Sequence, residues 1–343
     1  MAKRTYAYDG SEWVGLASPS VDVSNYANLT TYQPTFRNVL TNGAFSVDQR
    51  NGGASQTITA AAALAYTADR WYAYCTGANI TGARIAGAIP SQYSYRFTGA
   101  TSNTAVGFGQ RIEASNCFHL ANQNVTLSVN IASTSLTSIT WTAFYATTTD
   151  TFGTLASPTR TQIATGTFAV TSTLSRKTAS FAIPSAATTG IEIVFTGGAL
   201  LGSQTLTYDD AQLELGSVAT PFEQRPIGTE LALCQRYFLR MQGQAYTTFG
   251  TGMSQSGTRS LININFPTTM RIAPAIGSFS NLIVTDRTSY DCNVSSFDGS
   301  ASRTGVASAY LVIDHAGTAQ AYRPAFFGVV GSASGFIDFS SEL

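Results

Sequence analysis

The chain has 343 residues, 44% of them hydrophobic and only 11% charged, with nineteen Lys and Arg matched by nineteen Asp and Glu. An average soluble protein carries roughly 25% charged residues. This sparse, balanced charge leaves no basic footprint for nucleic acid and none for an anionic membrane surface, and no run approaches the roughly 20 apolar residues of a spanning helix.

The length implies about two domains. Thr, Ser, Ala, Gly and Asn take the place of charge, a mixture suited to strands and turns, while recurring aromatic and β-branched residues argue against disorder. The start, MAKRTYAYDG, has no apolar stretch behind its basic residues, so it does not read as a signal peptide and folding in a reducing cytoplasm is expected. Cys75, Cys117, Cys234 and Cys292 lack metal-ligand spacing and are expected as buried free thiols, with no disulfide and no metal.

Residues 1–37 read as a leader. Tyr6 to Leu16 forms a hairpin around Asp9-Gly10, and because an isolated hairpin is marginal in water, Tyr8 and Trp13 are expected to anchor on a partner. From residue 38 to 226 short strands alternate with turns. Tyr93, Tyr95 and Phe97 share a face, as do Val125, Leu127, Val129 and Ile131. In Ile139–Tyr145 the same alternation places Trp141 and Tyr145 together, and further strands follow at 162–170, 176–183, 191–195 and 206–215. Many short strands at this spacing indicate an all-β fold, a jelly-roll β-sandwich.

A second, smaller β domain is expected over 227–343. It opens on one short helix whose apolar stripe is Ile227, Leu231, Cys234 and Phe238, with Thr229 as N-cap. So short a stripe needs a partner surface, and a subunit contact is the expectation. Strands resume at 261–266, 281–285, 308–313, 325–330 and 336–339.

Chemistry is thin. His119 reads as a strand-end or loop residue, Asp314-His315-Ala-Gly317 as a turn, and Gly252-Met-Ser-Gln-Ser256 as a Gly/Ser loop short of a nucleophile elbow. The carboxylates Glu192, Asp209, Asp210 and Glu214 are the candidates for a glycosidase pair, but Asp209 and Asp210 are adjacent and on a regular strand point to opposite faces. With no cofactor motif either, the chain is expected to be non-enzymatic. Flat aromatic faces flanked by hydroxyls and amides bind sugars. Trp71, Tyr72 and Tyr74 form one such cluster, read as core packing. Trp141 and Tyr145 form the other; they too read first as core packing, and they are the glycan-stacking candidates.

Three segments together carry a resemblance: Asn38-Val-Leu-Thr-Asn-Gly-Ala-Phe-Ser46, Thr67-Ala-Asp-Arg-Trp71, and Leu206 to Gly216 with Ala219 to Pro226. Gly109 to Glu113 fits between them, Glu230 to Phe238 is similar to a recurring tail-fibre segment, and Phe266 to Pro274 with Phe336 to Leu343 completes the series. The series resembles tail-fibre and surface proteins of tailed bacteriophage virions that carry a carbohydrate-binding-module-like jelly roll. The resemblance implies that the first and last segments of the jelly roll close the sandwich. It points to Asn42 and Asp210 as the positions to check for the structural calcium of some related modules. It also implies a homotrimer in the virion, assembled in host cytoplasm, contacting other virion proteins and host-surface polysaccharide. A capsid-decorating or baseplate protein without receptor role, and a glycan depolymerase, are the alternatives.

Overall fold

The computed structural model describes the backbone of Thr5–Tyr8 and Trp13–Leu16 and residues 36–343 apart from 62, 88–90, 289, 300, 301 and 332. Two compact units result, residues 1–37 and 38–343. In the first, strands β1 (Thr5–Tyr8) and β2 (Trp13–Leu16) form an antiparallel hairpin in which Tyr8 lies opposite Trp13; the side chains of this predicted anchor fall outside what is described.

The second unit begins with the strands of a sandwich. They are β3 (Gln56–Ile58), β4 (Ala65–Tyr66), β5 (Trp71–Thr76), β6 (Ile80–Ala86), β7 (Tyr93–Thr98) and β8 (Ala105–Ile112). After a helical turn (Ala114–Cys117, then Phe118–Leu120) come β9 (Asn124–Ser133), β10 (Ser138–Ala146), β11 (Arg160–Ala169), β12 (Ser175–Ala182), β13 (Ile191–Gly197) and β14 (Thr205–Leu215). They build two six-stranded sheets: a front sheet ordered β11-β10-β13-β8-β5-β4 and a back sheet ordered β12-β9-β14-β7-β6-β3. The chain changes sheet between β7 and β8, again into β9, and again into β10, which is jelly-roll wiring. Strict alternation drives it: Val125, Leu127, Val129 and Ile131 are fully buried between the sheets, while Thr126 and Ser128 face outward and meet the hydroxyl and guanidinium groups of Ser180 and Arg176. Rings fill the centre, with Trp71 stacked on Phe108 at 4.8 Å and Tyr208 tilted against Phe108 at 5.0 Å.

The first and last segments of the sandwich do meet. Asn38 donates to the Ala211 carbonyl and accepts from Leu213 N–H, and Ala211 N–H donates to the Gly43 carbonyl. A Cβ on Gly43 would lie 2.0 Å from that Ala211 oxygen, so no larger residue fits.

The longest helix among the described residues, α1 (Ile227–Gln235), starts directly after Pro226, so Thr229 is inside its first turn rather than the cap. It ends before Phe238, which opens strand β15 (Phe238–Gly243). The expected four-residue stripe is therefore not one helical face. Ile227 is 60% exposed, Leu231 half-buried, and Cys234 and Phe238 are buried within the chain, the latter under the Arg50 guanidinium at 3.6 Å. The helix docks instead through buried Glu230, whose carboxylate accepts the Asn42 N–H and pairs with Arg225.

Beyond it lie β16 (Thr248–Ser254), β17 (Arg259–Asn265), β18 (Ala275–Ser280), β19 (Leu282–Thr285), β20 (Asp291–Phe297), β21 (Arg303–Thr304), β22 (Ser308–His315), β23 (Pro324–Val329) and β24 (Gly335–Ser340). The sheet β17-β16-β23-β19-β20-β22 closes on itself through β17–β22 pairing to make a barrel, with β21 added outside and β15-β24-β18 packed alongside. Its core (Ile262, Leu311, Phe327, Phe339) is separate from that of the sandwich. Ser254 is a β16 residue rather than part of a loop, and His315 ends β22, fully inside, with Nε2 3.0 Å from Ser260 Oγ. Ser254, Ser260 and His315 are all closed to solvent, and burial lowers the His315 pKa, so this polar chain packs the barrel interior.

A charged seam joins sandwich and barrel. Arg70 and Arg50 both pair with Glu342; Arg70 lies 3.5 Å over the Tyr237 ring; Tyr66 Oη and Arg111 Nη1 donate to the Leu343 carbonyl. Arg240 holds Asp338 through two bonds of 2.7 Å and reaches the Arg50 carbonyl.

Candidate functional site

The outer face of the front sheet is shaped by one feature of strand β5. Trp71, Ala73 and Cys75 point into the core, so Tyr72 and Tyr74 point out. Directly across on β8 stand Gly109 and Gly107. Their missing side chains let the two rings lie down on the sheet: a Cβ on Gly107 would sit 2.0 Å from the Tyr74 ring, and one on Gly109 2.6 Å from Tyr72 Oη. Further across, the same face carries Val194 and Thr196 on β13, Thr140 and Thr142 on β10, and Thr165 and Thr167 on β11. Five strands at about 4.8 Å spacing make a floor about 19 Å wide. Thr142 and Thr165 share a hydrogen bond of 3.0 Å there, and Tyr74 is half-buried with one ring face against the sheet.

One end of this floor is fixed electrostatically. Glu192 is fully buried, accepts from Tyr72 Oη at 2.7 Å and Arg111 Nε at 2.8 Å, and pairs with Arg160. Burial, then the neighbouring Glu192, holds the Tyr72 hydroxyl well above the usual tyrosine range, so it stays protonated and donating. Arg160 also covers the outward Phe144 ring at 4.1 Å. The face thus offers two half-buried aromatic rings at opposite corners, a hydroxyl-lined floor and a rigid ionic border.

Trp141 and Tyr145 do share a face, but it is the inner one. Trp141 is 6% exposed and stacks on Phe181 at 5.2 Å and Phe168 at 6.1 Å, and Tyr145 packs on the same core. The threonines that alternate with Trp141 supply the outer floor. Tyr72 and Tyr74, expected to pack the core with Trp71, are on the outer face; the alternation about Trp71 was the signal that separates them.

On the back sheet, Asp209 and Asp210 share a face instead of splitting. A β-bulge between Asp209 and Gln212, with Asp210 at φ +47°, adds one residue to β14 and turns both carboxyls outward. Ser94 Oγ donates to Asp209 at 2.9 Å, Ser91 Oγ to Asp210 at 2.7 Å, and Asn130 Nδ2 to Asp210 at 3.3 Å. Burial and the adjacent Asp210 push the Asp209 carboxyl up to about 7, and burial raises Asp210. Glu214 is spent on Thr220 N–H and Gln212. The Asn42 and Asp210 side chains bond to different partners. The Asn42 amide donates to the Val47 and Asp69 carbonyls and accepts from Val47 N–H, organising its own loop. His119 is exposed on its short turn. All four cysteines are free and buried.

No protein-family model matches the chain, and no curated protein matches it in sequence. Among solved structures it is similar to a family 4 carbohydrate-binding module, at 16% identity over 51% of this chain and 98% of that one with a TM-score of 0.32. It is similar to a family 61 module in complex with β-1,4-galactotriose, at 13% identity over 52% and 99% with a TM-score of 0.32. It also resembles the enzymatically active domain of tailspike protein 4 of bacteriophage CBA120, at 14% identity over 52% of this chain and 22% of that one, with a TM-score of 0.33.

Proposed function

We propose that this chain is a non-enzymatic structural protein of a tailed phage virion, a tail fibre or receptor-binding protein, that contacts host-surface glycans through the front face of its sandwich. The observation that carries the glycan half is the Tyr74 ring laid over Gly107 beside a floor of threonines. A flat apolar surface next to hydroxyl donors and acceptors matches a pyranose ring, which has apolar faces and hydroxyl edges. The series of segments quoted from the sequence supports the phage half, with residues 1–37 as the virion anchor and a homotrimer as the assembly. Three copies would multiply a weak single-site contact. Sparse charge suits a surface that recognises neutral sugar edges rather than phosphates.

The test is binding of the purified protein to immobilised host polysaccharide, together with competition against particle adsorption. Tyr74→Ala should weaken binding at least about tenfold, in keeping with the loss of a stacked ring, while leaving the thermal midpoint close to the parent. If the parent binds no host polysaccharide and particles lacking the protein adsorb normally, the receptor reading fails and a decorating role replaces it.

A further inference from the structure

The barrel carries its own surface of exposed apolar side chains, remote in sequence from the sandwich face. In the barrel register Phe326 lies opposite Thr251, Thr251 opposite Asn263, and Asn263 opposite Tyr310, so the four form one row across β23, β16, β17 and β22. The neighbouring row on the same face holds Pro324, Met253 and Leu261. Strand alternation sends Ile262, Ile264, Leu311 and Phe327 inward, which leaves Phe326 37%, Tyr310 37% and Met253 39% exposed. The row between the two rings spans three strand intervals, about 14 Å, and its floor is an amide and a hydroxyl.

Among the described residues charge stands at the border: Arg259 is engaged by Asp314 at 2.8 Å and Asp298 at 3.3 Å, and Arg303 lies across from Tyr310. The exposed apolar area is roughly 300–400 Å², taking an aromatic side chain as about 200 Å². A stable subunit contact buries about 800 Å² from each partner, of which roughly 450–520 Å² is apolar. The patch falls short of what a second copy of the chain would cover. Its two separated rings with an amide and a hydroxyl between them suit a narrow amphipathic chain with apolar faces and hydroxyl edges.

We infer that this row is a second saccharide-binding surface, taking an uncharged oligosaccharide laid across β23, β16, β17 and β22 between Phe326 and Tyr310. The inference is independent of the sandwich face and its test separates the two. The intact protein is applied to an array of immobilised neutral oligosaccharides, and affinities for the hits are measured for the parent, for Tyr74→Ala, for Tyr310→Ala with Phe326→Ala, and for Asn263→Arg. Asn263 is exposed, so its substitution blocks the floor without touching the core and guards against misfolding of the double variant. The expected result is a set of ligands whose affinity falls about tenfold or more in both barrel variants and is unchanged by Tyr74→Ala. Ligands lost only with Tyr74→Ala would overturn the barrel site while leaving the sandwich reading intact. A parent that retains no neutral glycan overturns it as well, as would a lowered oligomer mass in Asn263→Arg, which would make the patch a subunit contact.

Discussion

Replacing Asp209 by Asn should stabilise the protein, and the gain should grow with pH. The usual carboxylate is held below its unfolded pKa by a native partner; Asp209 is the opposite case. Its carboxyl titrates at about 7 in the folded chain, pushed up first by burial and then by Asp210 beside it, whereas an unfolded aspartate titrates near 3.9. Between those values the folded chain holds a proton that the unfolded chain has released. Stability therefore falls as pH rises from about 4 to about 7 and stays at its lower level above that. Three pH units at about 1.4 kcal/mol each set a ceiling of about 4 kcal/mol. The pair lies on an outer sheet face, and the Arg176 charge favours ionised Asp210, so about 2 kcal/mol is the working figure. Asparagine keeps the volume and still accepts from Ser94. Chemical denaturation of parent and variant at pH 4 and pH 8 measures the effect: near-equal stability at the lower pH and an Asp209→Asn gain of about 2 kcal/mol at the higher. A variant no more stable than the parent at pH 8, or a difference independent of pH, refutes the reasoning.

Glu342→Gln removes the shared partner of Arg50 and Arg70 at the seam, and because Arg70 is 2% exposed the loss should reach about 3–5 kcal/mol. Calorimetry would show it as a lowered midpoint, with a low-temperature shoulder where barrel and sandwich begin to unfold separately. Trp141→Ala should cost about 3–5 kcal/mol by opening a cavity between Phe168 and Phe181. Its saccharide affinity, measured well below its midpoint, should match the parent's, the reverse of what Tyr74→Ala is expected to do.

Period-two alternation tells which residues share a face, and the chain states this plainly. Val125 to Ile131, Trp141 with Tyr145, and Tyr93 with Tyr95 and Phe97 were all legible as face-mates. What alternation does not state is which face is inside, because that depends on the sheet packed opposite. Trp141 and Tyr145 alternate with threonines, which made them the sugar-stacking candidates although core packing was the first reading of them; a sugar site required the pair to be outside. The threonines are outside instead, since Phe168 and Phe181 arrive from β11 and β12, some 25 to 40 residues later, to cover Trp141. Tyr72 and Tyr74 were read with Trp71 as one cluster, yet on a regular strand positions 72 and 74 face the opposite way from position 71. The glycines that receive the outer rings, Gly107 and Gly109, lie more than thirty residues away.

Two further departures come from breaks in periodicity. The bulge at Asp210 reverses the parity of β14, so a rule valid for a regular strand placed the two carboxyls on opposite faces when they are neighbours. The helix stops at Gln235 rather than carrying its stripe to Phe238, because Phe238 is needed at the start of β15, pairing with Ser340 and lying under Arg50. In each case a local pattern of the right kind was overruled by a partner distant in sequence. The candidate binding faces depend on the same kind of long-range pairing, Tyr74 on Gly107 and Tyr310 in register with Asn263. That is why the meeting of the sandwich's first and last segments was anticipated while the outward-facing rings had to be located by structure.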